Sequence, residues 1–120
     1  MAHPKPNASL NVLEIDDFNF EREVLGSELP FLLDFTAAWC APCRVLAPIL
    51  DALADENLGA FKVGKLDIDE APAVAARFGV RGAPTLIVFN NGRETARRIG
   101  TTTKLNLLKL VESGSTARVA

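Results

Sequence analysis

Three short apolar runs constrain the fold of this 120-residue chain most strongly. They read FLLDF at 31–35, FKVGKLDI at 61–68 and TLIVF at 85–89. Runs of this length and composition are typical of strands that are buried within a covered sheet. The segments between them carry apolar residues at helical spacing. Strands that alternate with helices in this way predict an α/β domain.

Turn, capping and periodicity signals place the remaining elements. Two further strands are predicted at about 10–13 and 94–99. Four helices are predicted at about 17–25, 42–55, 71–78 and 103–112. Asp16 is suited to cap the first helix, and Leu105, Leu108 and Val111 are the expected buried residues of the last one. Pro48 lies inside the second helix, where a missing backbone N–H is expected to cause a kink.

Composition at the ends of the chain and overall charge indicate the bounds of the domain, its location and the partners it excludes. Residues 1–9 carry two prolines and small polar side chains, and residues 113–120 read SGSTARVA, so both ends are predicted to be tails around a domain at 10–112. The start of the chain lacks an apolar stretch of signal-peptide type, which predicts a cytoplasmic protein. A net charge of −2 and the lack of a long apolar run argue against nucleic acid and membrane as partners. A monomer is expected.

The chain has only two cysteines, and both lie in the stretch WCAPC at 39–43. The preceding strand should end near Phe35 and the next helix should begin near Pro42, so the cysteines lie at a strand-to-helix junction. Cys40 is then at the helix N-terminus, where free backbone N–H groups and the helix dipole stabilise a thiolate. Cys43 is one turn further in and is expected to be more shielded. The spacing therefore predicts an exposed, activated thiol beside a resolving thiol, able to form a disulfide.

Other uses of the two thiols are weaker interpretations of the same pattern. A purely structural disulfide would close a loop of a few residues and stabilise by less than the ~3 kcal/mol expected for a 15-residue loop. A zinc site needs four ligands, whereas the chain offers two cysteines and one histidine. A two-coordinate soft metal such as Cu(I) and a pair of inert core cysteines stay open as alternatives.

An acid inside the FLLDF run is the second unusual feature. Alternation places Asp34 on one face of the strand with Leu32 and Thr36, while Phe31, Leu33 and Phe35 share the other face. A carboxyl group inside such a run should be desolvated, which raises its pKa. A solvated aspartate on an edge strand is the alternative. From its pattern alone, Lys65 is better interpreted as a surface residue of its strand.

Together these motifs resemble the thioredoxin family over about residues 10–112. The matching segments are LLDFTAAWCAPCRVLAPILDALA, VGKLDIDEAPAVAARFGVRGAPTLIVFNNG and a glycine at 100. The resemblance implies a thioredoxin fold, with a central mixed sheet of about five strands flanked by about four helices. It also implies a protein disulfide reductase that maintains cell redox homeostasis, with Cys40 as nucleophile and Cys43 as resolving thiol. A flavin- and NADPH-dependent reductase would recycle the pair, and the chain itself would bind no cofactor or metal.

The same resemblance assigns the other site residues. It implies that Asp34 moves a proton to or from Cys43, that Lys65 neighbours this acid, and that Pro84 follows a cis peptide bond. Without it, Pro84 is better interpreted as a trans proline, because only about 5–6% of X–Pro bonds are cis. The backbone of Ala83 would pair with an extended substrate. An apolar substrate groove is implied at Trp39, Ala41, Pro42, Ile68, Gly82, Ala83, Pro84, Ile99, Gly100 and Thr101.

Two residues depart from the family pattern. Ala41 stands where a glycine is usual, and Thr36 replaces a common tryptophan. Ala41 is compatible with a helix, but the residues between the cysteines set the redox potential in the wider superfamily. Two alternatives therefore stay beside a general reductase: a thiol–disulfide oxidoreductase with one dedicated partner, and a thioredoxin-like binding or chaperone module whose thiols are incidental.

Overall fold

The computed structural model describes residues 9–116, and within them a five-stranded sheet forms the centre of the domain. The strands are β1 (Val12–Ile15), β2 (Phe31–Thr36), β3 (Lys62–Asp67), β4 (Thr85–Asn90) and β5 (Arg93–Ile99). Their spatial order is β1-β3-β2-β4-β5. The first three strands run parallel, whereas β4 is antiparallel to β2 and β5 is antiparallel to β4. The α/β domain predicted from the sequence pattern and the five-stranded mixed sheet implied by the family resemblance are confirmed.

Three α-helices and one π-helical turn cover the two faces of this sheet within the described residues. The helices are α1 (Ala41–Glu56), α2 (Pro72–Arg77) and α3 (Lys104–Thr116), and the π-helical turn is Glu21–Leu25. Helices α1 and α3 pack on one face, and α2 and the π-helical turn pack on the other. Among residues 9–116, no helix is long and apolar enough to cross a lipid bilayer.

Strand β2 is buried on both faces, as its sequence predicts. Phe31, Leu33 and Phe35 belong to the core under α2, while Leu32 belongs to the core under α1. Each of these side chains is 0% exposed. Burial of one such side chain contributes about 1.5–3 kcal/mol, so the two cores anchor the strand that leads to the cysteines.

The first predicted helix is shorter and differently wound than expected. Asp16 does cap the segment, because its Oδ1 accepts hydrogen bonds from the N–H groups of Phe18 at 2.8 Å and Asn19 at 2.9 Å. A turn follows, and regular helical winding is confined to the π-helical segment. The Gly26 N–H donates to the carbonyl of Glu21 at 2.8 Å, which is the longer-range bond of π-type winding.

The last helix continues through Thr116, so the prediction that a frayed tail begins at residue 113 is wrong for residues 113–116. Packing on the sheet overrides the weak helix propensity of this turn. Gly114 lies so close to the sheet that a Cβ at this position would be 2.7 Å from Val88 Cγ1. The side-chain amide of Asn90 donates to the carbonyl of Ser115 at 3.2 Å. The predicted tails at 1–8 and 117–120 lie outside the described residues.

The predicted buried face of α3 is also partly wrong. Leu105 is 60% exposed, whereas Leu107, which the periodicity did not single out, is fully buried. Val111 is buried as predicted, and Leu108 packs against the same core while partly exposed. Tertiary contact with the sheet, rather than spacing within the helix, decides which leucine turns inward.

Candidate active site

The cysteine pair lies at the junction between the end of β2 and the start of α1. Cys40 is the N-cap residue of α1, with an extended backbone, and Cys43 lies in the first turn. The two residues form a disulfide, with their Cα atoms 5.3 Å apart. The backbone N–H of Cys43 points at the Cys40 sulfur at 3.2 Å, as an N-cap side chain is normally contacted. Helix α1 therefore presents an amide and its positive dipole end to Cys40.

Both cysteines are buried in this disulfide form. Cys40 is 3% exposed and Cys43 is 5% exposed, so the prediction that Cys40 is the more exposed thiol is wrong here. Ala37, Ile68 and Ala83 pack around the pair, and no local sequence pattern predicts that cover. The asymmetry of the pair lies instead in its hydrogen bonding, since the Cys43 N–H points at the Cys40 sulfur.

The loop before β4 forms one wall beside Cys40. The carbonyl oxygen of Ala83 lies 3.3 Å from the Cys40 sulfur, and the Ala83–Pro84 peptide bond is cis, as the family resemblance implied. The Pro84 carbonyl accepts the Gly100 N–H at 2.9 Å, which ties this loop to the end of β5. Inside the loop, Thr85 Oγ1 donates to the Gly82 carbonyl at 2.8 Å. Backbone polar groups of the loop are therefore held close to the reactive sulfur.

The segment that follows β3 forms a second wall, and it contacts Trp39 through Asp69. The indole Nε1 of Trp39 donates to Asp69 Oδ2 at 2.8 Å, and Trp39 is 64% exposed. Asp67 Oδ1 accepts the backbone N–H groups of Asp69 at 2.8 Å and Glu70 at 3.3 Å. The sequence interpretation missed Asp69. The acidic run DIDE at 67–70, where the predicted strand ends, was the signal that could have found it, since aspartates there commonly organise turns.

The predicted groove residues occupy four segments, and contacts bring most of them together. Ile68 and Ala83 pack against the cysteines, and Gly100 is bonded to the Pro84 carbonyl. Ile99 is 75% exposed beside them. Ala41 and Pro42 are exposed in the first turn of α1, and Gly82 is partly exposed. Thr101 is exposed next to Gly100, and its place in a groove stays a prediction.

Asp34 is buried inside the sheet next to this junction. It is 1% exposed, and within the described part of the chain its Oδ1 has no hydrogen-bond partner. Burial raises the pKa of Asp34 to about 7, while the positive charge of Lys65 acts in the opposite direction. The two residues pair across β2 and β3. The prediction of a desolvated acid is confirmed, and the edge-strand alternative is wrong because β2 lies between β3 and β4.

Because both cysteines lie within one helical turn, the disulfide can open to a dithiol without separating any elements of the fold. This places the protein in the class that exchanges dithiols with disulfides. Residues 11–113 match the family model described as Thioredoxin. The thioredoxin of Haemophilus influenzae is 44% identical over 100 residues, which cover 83% of this chain and 94% of that protein. The thioredoxin of Buchnera aphidicola is 43% identical over 101 residues, covering 84% and 94%. The thioredoxin of Porphyra purpurea is 40% identical over 98 residues, covering 82% and 92%.

The chain belongs to the thioredoxin family. With its Cys40–Cys43 pair it is a thiol–disulfide oxidoreductase that acts as a protein disulfide reductase.

Proposed function

We propose that this protein is a general disulfide reductase that maintains redox homeostasis, with Cys40 as the attacking thiolate and Cys43 as the resolving thiol. The observation that carries this assignment is the Cys43 N–H, which points at the Cys40 sulfur at 3.2 Å from the N-terminus of α1. A negative charge on Cys40 is stabilised by this amide and by the helix dipole. Cys43 lies in the first turn of the helix, close enough to Cys40 to form the disulfide.

The reaction proceeds by two exchanges of sulfur–sulfur bonds. The Cys40 thiolate attacks one sulfur of the substrate disulfide, so that a Cys40–substrate bond forms and the substrate bond breaks. The released substrate sulfur leaves as a thiolate and takes up a proton. Cys43 then loses its proton and attacks the Cys40 sulfur, which releases the second substrate thiolate. The electron pair has passed to the substrate, and the chain is left with the Cys40–Cys43 disulfide seen in the structure.

Asp34 is proposed to accept the proton of Cys43 in the second exchange. A carboxyl group with a pKa of about 7 is divided between its two protonation states near neutral pH, as an efficient proton acceptor and donor requires. Lys65 is proposed to tune this acid, because its charge favours the ionised carboxylate from the neighbouring strand. Thr36 follows Asp34 by two residues on the same face of β2.

The apolar surface around the disulfide is proposed to bind extended protein segments. Trp39, Ile68 and Ile99 offer apolar contact area, and the backbone of Ala83 is proposed to hydrogen-bond the substrate main chain. The remaining members of this groove are Ala41, Pro42, Gly82, Pro84, Gly100 and Thr101. Ala41 and Pro42 lie in the exposed first turn of α1, and the other four lie in the loops that precede β4 and follow β5. Placement at element ends and in loops supports a role in recognition.

The oxidised pair is proposed to be recycled by a thioredoxin reductase that uses flavin and NADPH. The protein is proposed to act in the cytoplasm as a monomer. Its cysteine usage supports a reducing compartment, because both cysteines of the sequence are in the reactive pair. Gel filtration with light scattering tests the monomer, and a mass twice that of the chain would contradict it.

Reduction of insulin disulfides by the reduced protein tests the function directly. The wild-type protein is expected to turn over many insulin molecules when supplied with a reductant, whereas Cys40→Ser is expected to be inactive. A binding or chaperone module would keep its function after Cys40→Ser and Cys43→Ser. Wild-type protein that fails to reduce insulin would overturn the proposal of a general reductase.

A further inference from the structure

Helix α2 connects the two walls that flank Cys40. The segment before it carries Ile68 and Asp69, and the segment after it leads to Ala83 and Pro84. The helix has only six residues, and isolated helices of that length are not stable in water. Its N-cap residue is Ala71, whose side chain offers no hydrogen-bond acceptor. The first N–H groups of α2 therefore need hydrogen-bond acceptors from outside the helix.

Asp17 caps the N-terminus of α2 from the loop that follows β1. Its Oδ1 accepts the N–H of Val74 at 2.9 Å, and its Oδ2 accepts the N–H of Ala73 at 3.2 Å. Both bonds connect residues more than 50 positions apart in the sequence. A carboxylate at this end also interacts favourably with the helix dipole. Asp17 thus supplies the cap that Ala71 cannot.

Arg97 holds the other end of α2 from strand β5. Its Nη2 donates to the carbonyl of Phe78, the C-cap residue, at 2.7 Å. Glu94 orients the guanidinium with two bonds, at 2.7 Å and 2.8 Å. A cation at a helix C-terminus again matches the dipole. The short helix is therefore held at both ends by charges of the matching sign.

Each end of α2 is joined to one wall of the site, the N-terminal end by hydrogen bonds and the C-terminal end through the chain that follows it. At the N-terminal end, the Ala71 N–H donates to the Asp67 carbonyl at 2.8 Å, and the Asp67 side chain orders the turn that carries Asp69. Asp69 in turn accepts the hydrogen bond of Trp39. At the C-terminal end, the Val80 N–H donates to the Ala75 carbonyl at 2.9 Å, three residues before Ala83.

We propose that Asp17 and Arg97 are positioning residues for disulfide exchange with protein substrates. By holding α2 at both ends they keep Trp39 and the Ala83 carbonyl in place beside Cys40. The inference rests on the proposed function, because it treats these two groups as parts of the substrate groove. The hydrogen bonds of Asp17 and Arg97 to the two ends of α2 are called the α2 clamp here. Small disulfides that need no groove should react independently of this clamp, whereas protein disulfides should depend on it.

Asp17→Asn tests the clamp, with Asp16→Asn as a matched control. The asparagine has the size of aspartate and keeps one acceptor oxygen, but it loses the charge and the second acceptor. Asp16 is the neighbouring acid and also accepts two backbone N–H groups, yet its bonds go to Phe18 and Asn19 in its own loop. The two variants change charge equally, and only one of them touches α2.

The first readout is spectroscopic. Trp39 is the single tryptophan of the chain, so a ¹⁵N-edited proton NMR spectrum of it shows one indole N–H signal. Asp17→Asn is expected to shift or broaden this signal, because the bond to Asp69 is loosened. Asp16→Asn is expected to leave it in place. An unchanged signal in Asp17→Asn, or an equal change in both variants, would overturn the proposal.

The second readout separates binding from chemistry. With insulin as substrate, Asp17→Asn is expected to raise KM by about threefold or more, since fewer molecules hold a competent groove. The rate with the small disulfide 5,5′-dithiobis(2-nitrobenzoic acid) is expected to stay within about twofold of wild type. Arg97→Lys, which keeps the charge but loses the planar fork, should act in the same direction from the other end of α2.

The outcomes distinguish this inference from the proposed function. If wild-type protein reduces insulin and Asp17→Asn has the wild-type KM, only the clamp is wrong. Equal losses with insulin and with the small disulfide would show a general structural effect and would also overturn it. If wild-type protein does not reduce insulin, the proposed function fails, whatever the indole signal shows.

Discussion

Asp34 and Lys65 lie opposite each other in the parallel pairing of β2 and β3. Asp34 is 1% exposed, whereas Lys65 is partly exposed on its strand. Burial favours the neutral acid and the lysine charge favours the carboxylate, and burial is the larger effect, so the pKa is about 7. This balance places the titration of a buried acid at neutral pH, on the strand that leads to the cysteine pair.

The first prediction concerns stability against pH. The pKa of Asp34 is raised from 3.8 to about 7 on folding. Its contribution to the free energy of unfolding is therefore fully present below pH 3.8 and is lost as pH rises through about 7. The free energy of unfolding that is lost in this way amounts to about 4 kcal/mol at alkaline pH. Asp34→Asn is therefore expected to be more stable than wild type at pH 8, by on the order of 2–4 kcal/mol. At pH 4 the two proteins should differ little.

Urea unfolding of the oxidised proteins across pH 4 to 8 measures this difference. Leu32 lies two residues away on the same face of β2, and Leu32→Val provides a control that alters packing without a titrating group. Its loss of stability should be the same at both pH values. An Asp34→Asn variant that is no more stable than wild type at pH 8 would show that burial does not raise the pKa of Asp34.

The second prediction concerns the role of Lys65. Lys65→Met removes the charge that lowers the pKa of Asp34, so this pKa should rise above about 7. Titration of the Asp34 carboxyl carbon by ¹³C NMR measures the change, and the acidic limb of insulin reduction should move to higher pH with it, because a proton acceptor must be ionised to act. Lys62→Met is the matched control, because Lys62 is on the same strand but its side chain faces the opposite side of the sheet. An equal shift in both variants would remove Lys65 from its assigned role.

The third prediction separates the two thiols. Cys43→Ser leaves Cys40 without its resolving neighbour, so mixed disulfides with substrate should accumulate on Cys40. Intact-protein mass spectrometry after incubation with oxidised insulin detects them. Cys40→Ser is the control and should form at most traces, since Cys43 is held inside the helix turn. Adducts that form mainly on Cys43 would reverse the assigned roles.

The fourth prediction concerns the reduction potential. For a general reductase, the Cys40–Cys43 pair should equilibrate at or below the cytosolic glutathione poise of about −220 to −260 mV. Equilibration against a dithiothreitol buffer measures the value. A potential tens of millivolts above this poise would instead favour an oxidoreductase with a dedicated partner.

Two variants show which residue sets this potential. Ala41 begins α1, so the fold accepts alanine where the family commonly has glycine. Ala41→Gly is expected to shift the potential by less than about 30 mV, equivalent to about 1.4 kcal/mol for this couple. Thr36→Trp is the companion variant, because Thr36 is the other departure from the family pattern. A larger shift in Ala41→Gly would make residue 41 the determinant of the poise.

The sequence by itself determined the features that depend on near neighbours along the chain. Apolar runs of strand length showed that β2 is buried on both faces and that Asp34 is desolvated. A proline after Cys40 and helical spacing from Leu46 onward located the start of α1. These predictions hold because strand alternation, helix periodicity and N-terminal capping are set within a few residues. Family motifs added the cis peptide bond before Pro84.

Only the tertiary structure decided the features that join distant segments. Trp39 and Asp69 are separated by 30 positions, Cys40 and Ala83 by 43, and Asp17 and Val74 by 57. The burial of Cys40 and the last turn of α3 likewise depend on packing against other elements. Local propensities carry no information about such contacts, because the free energy that selects them is gained only when the sheet brings the segments together.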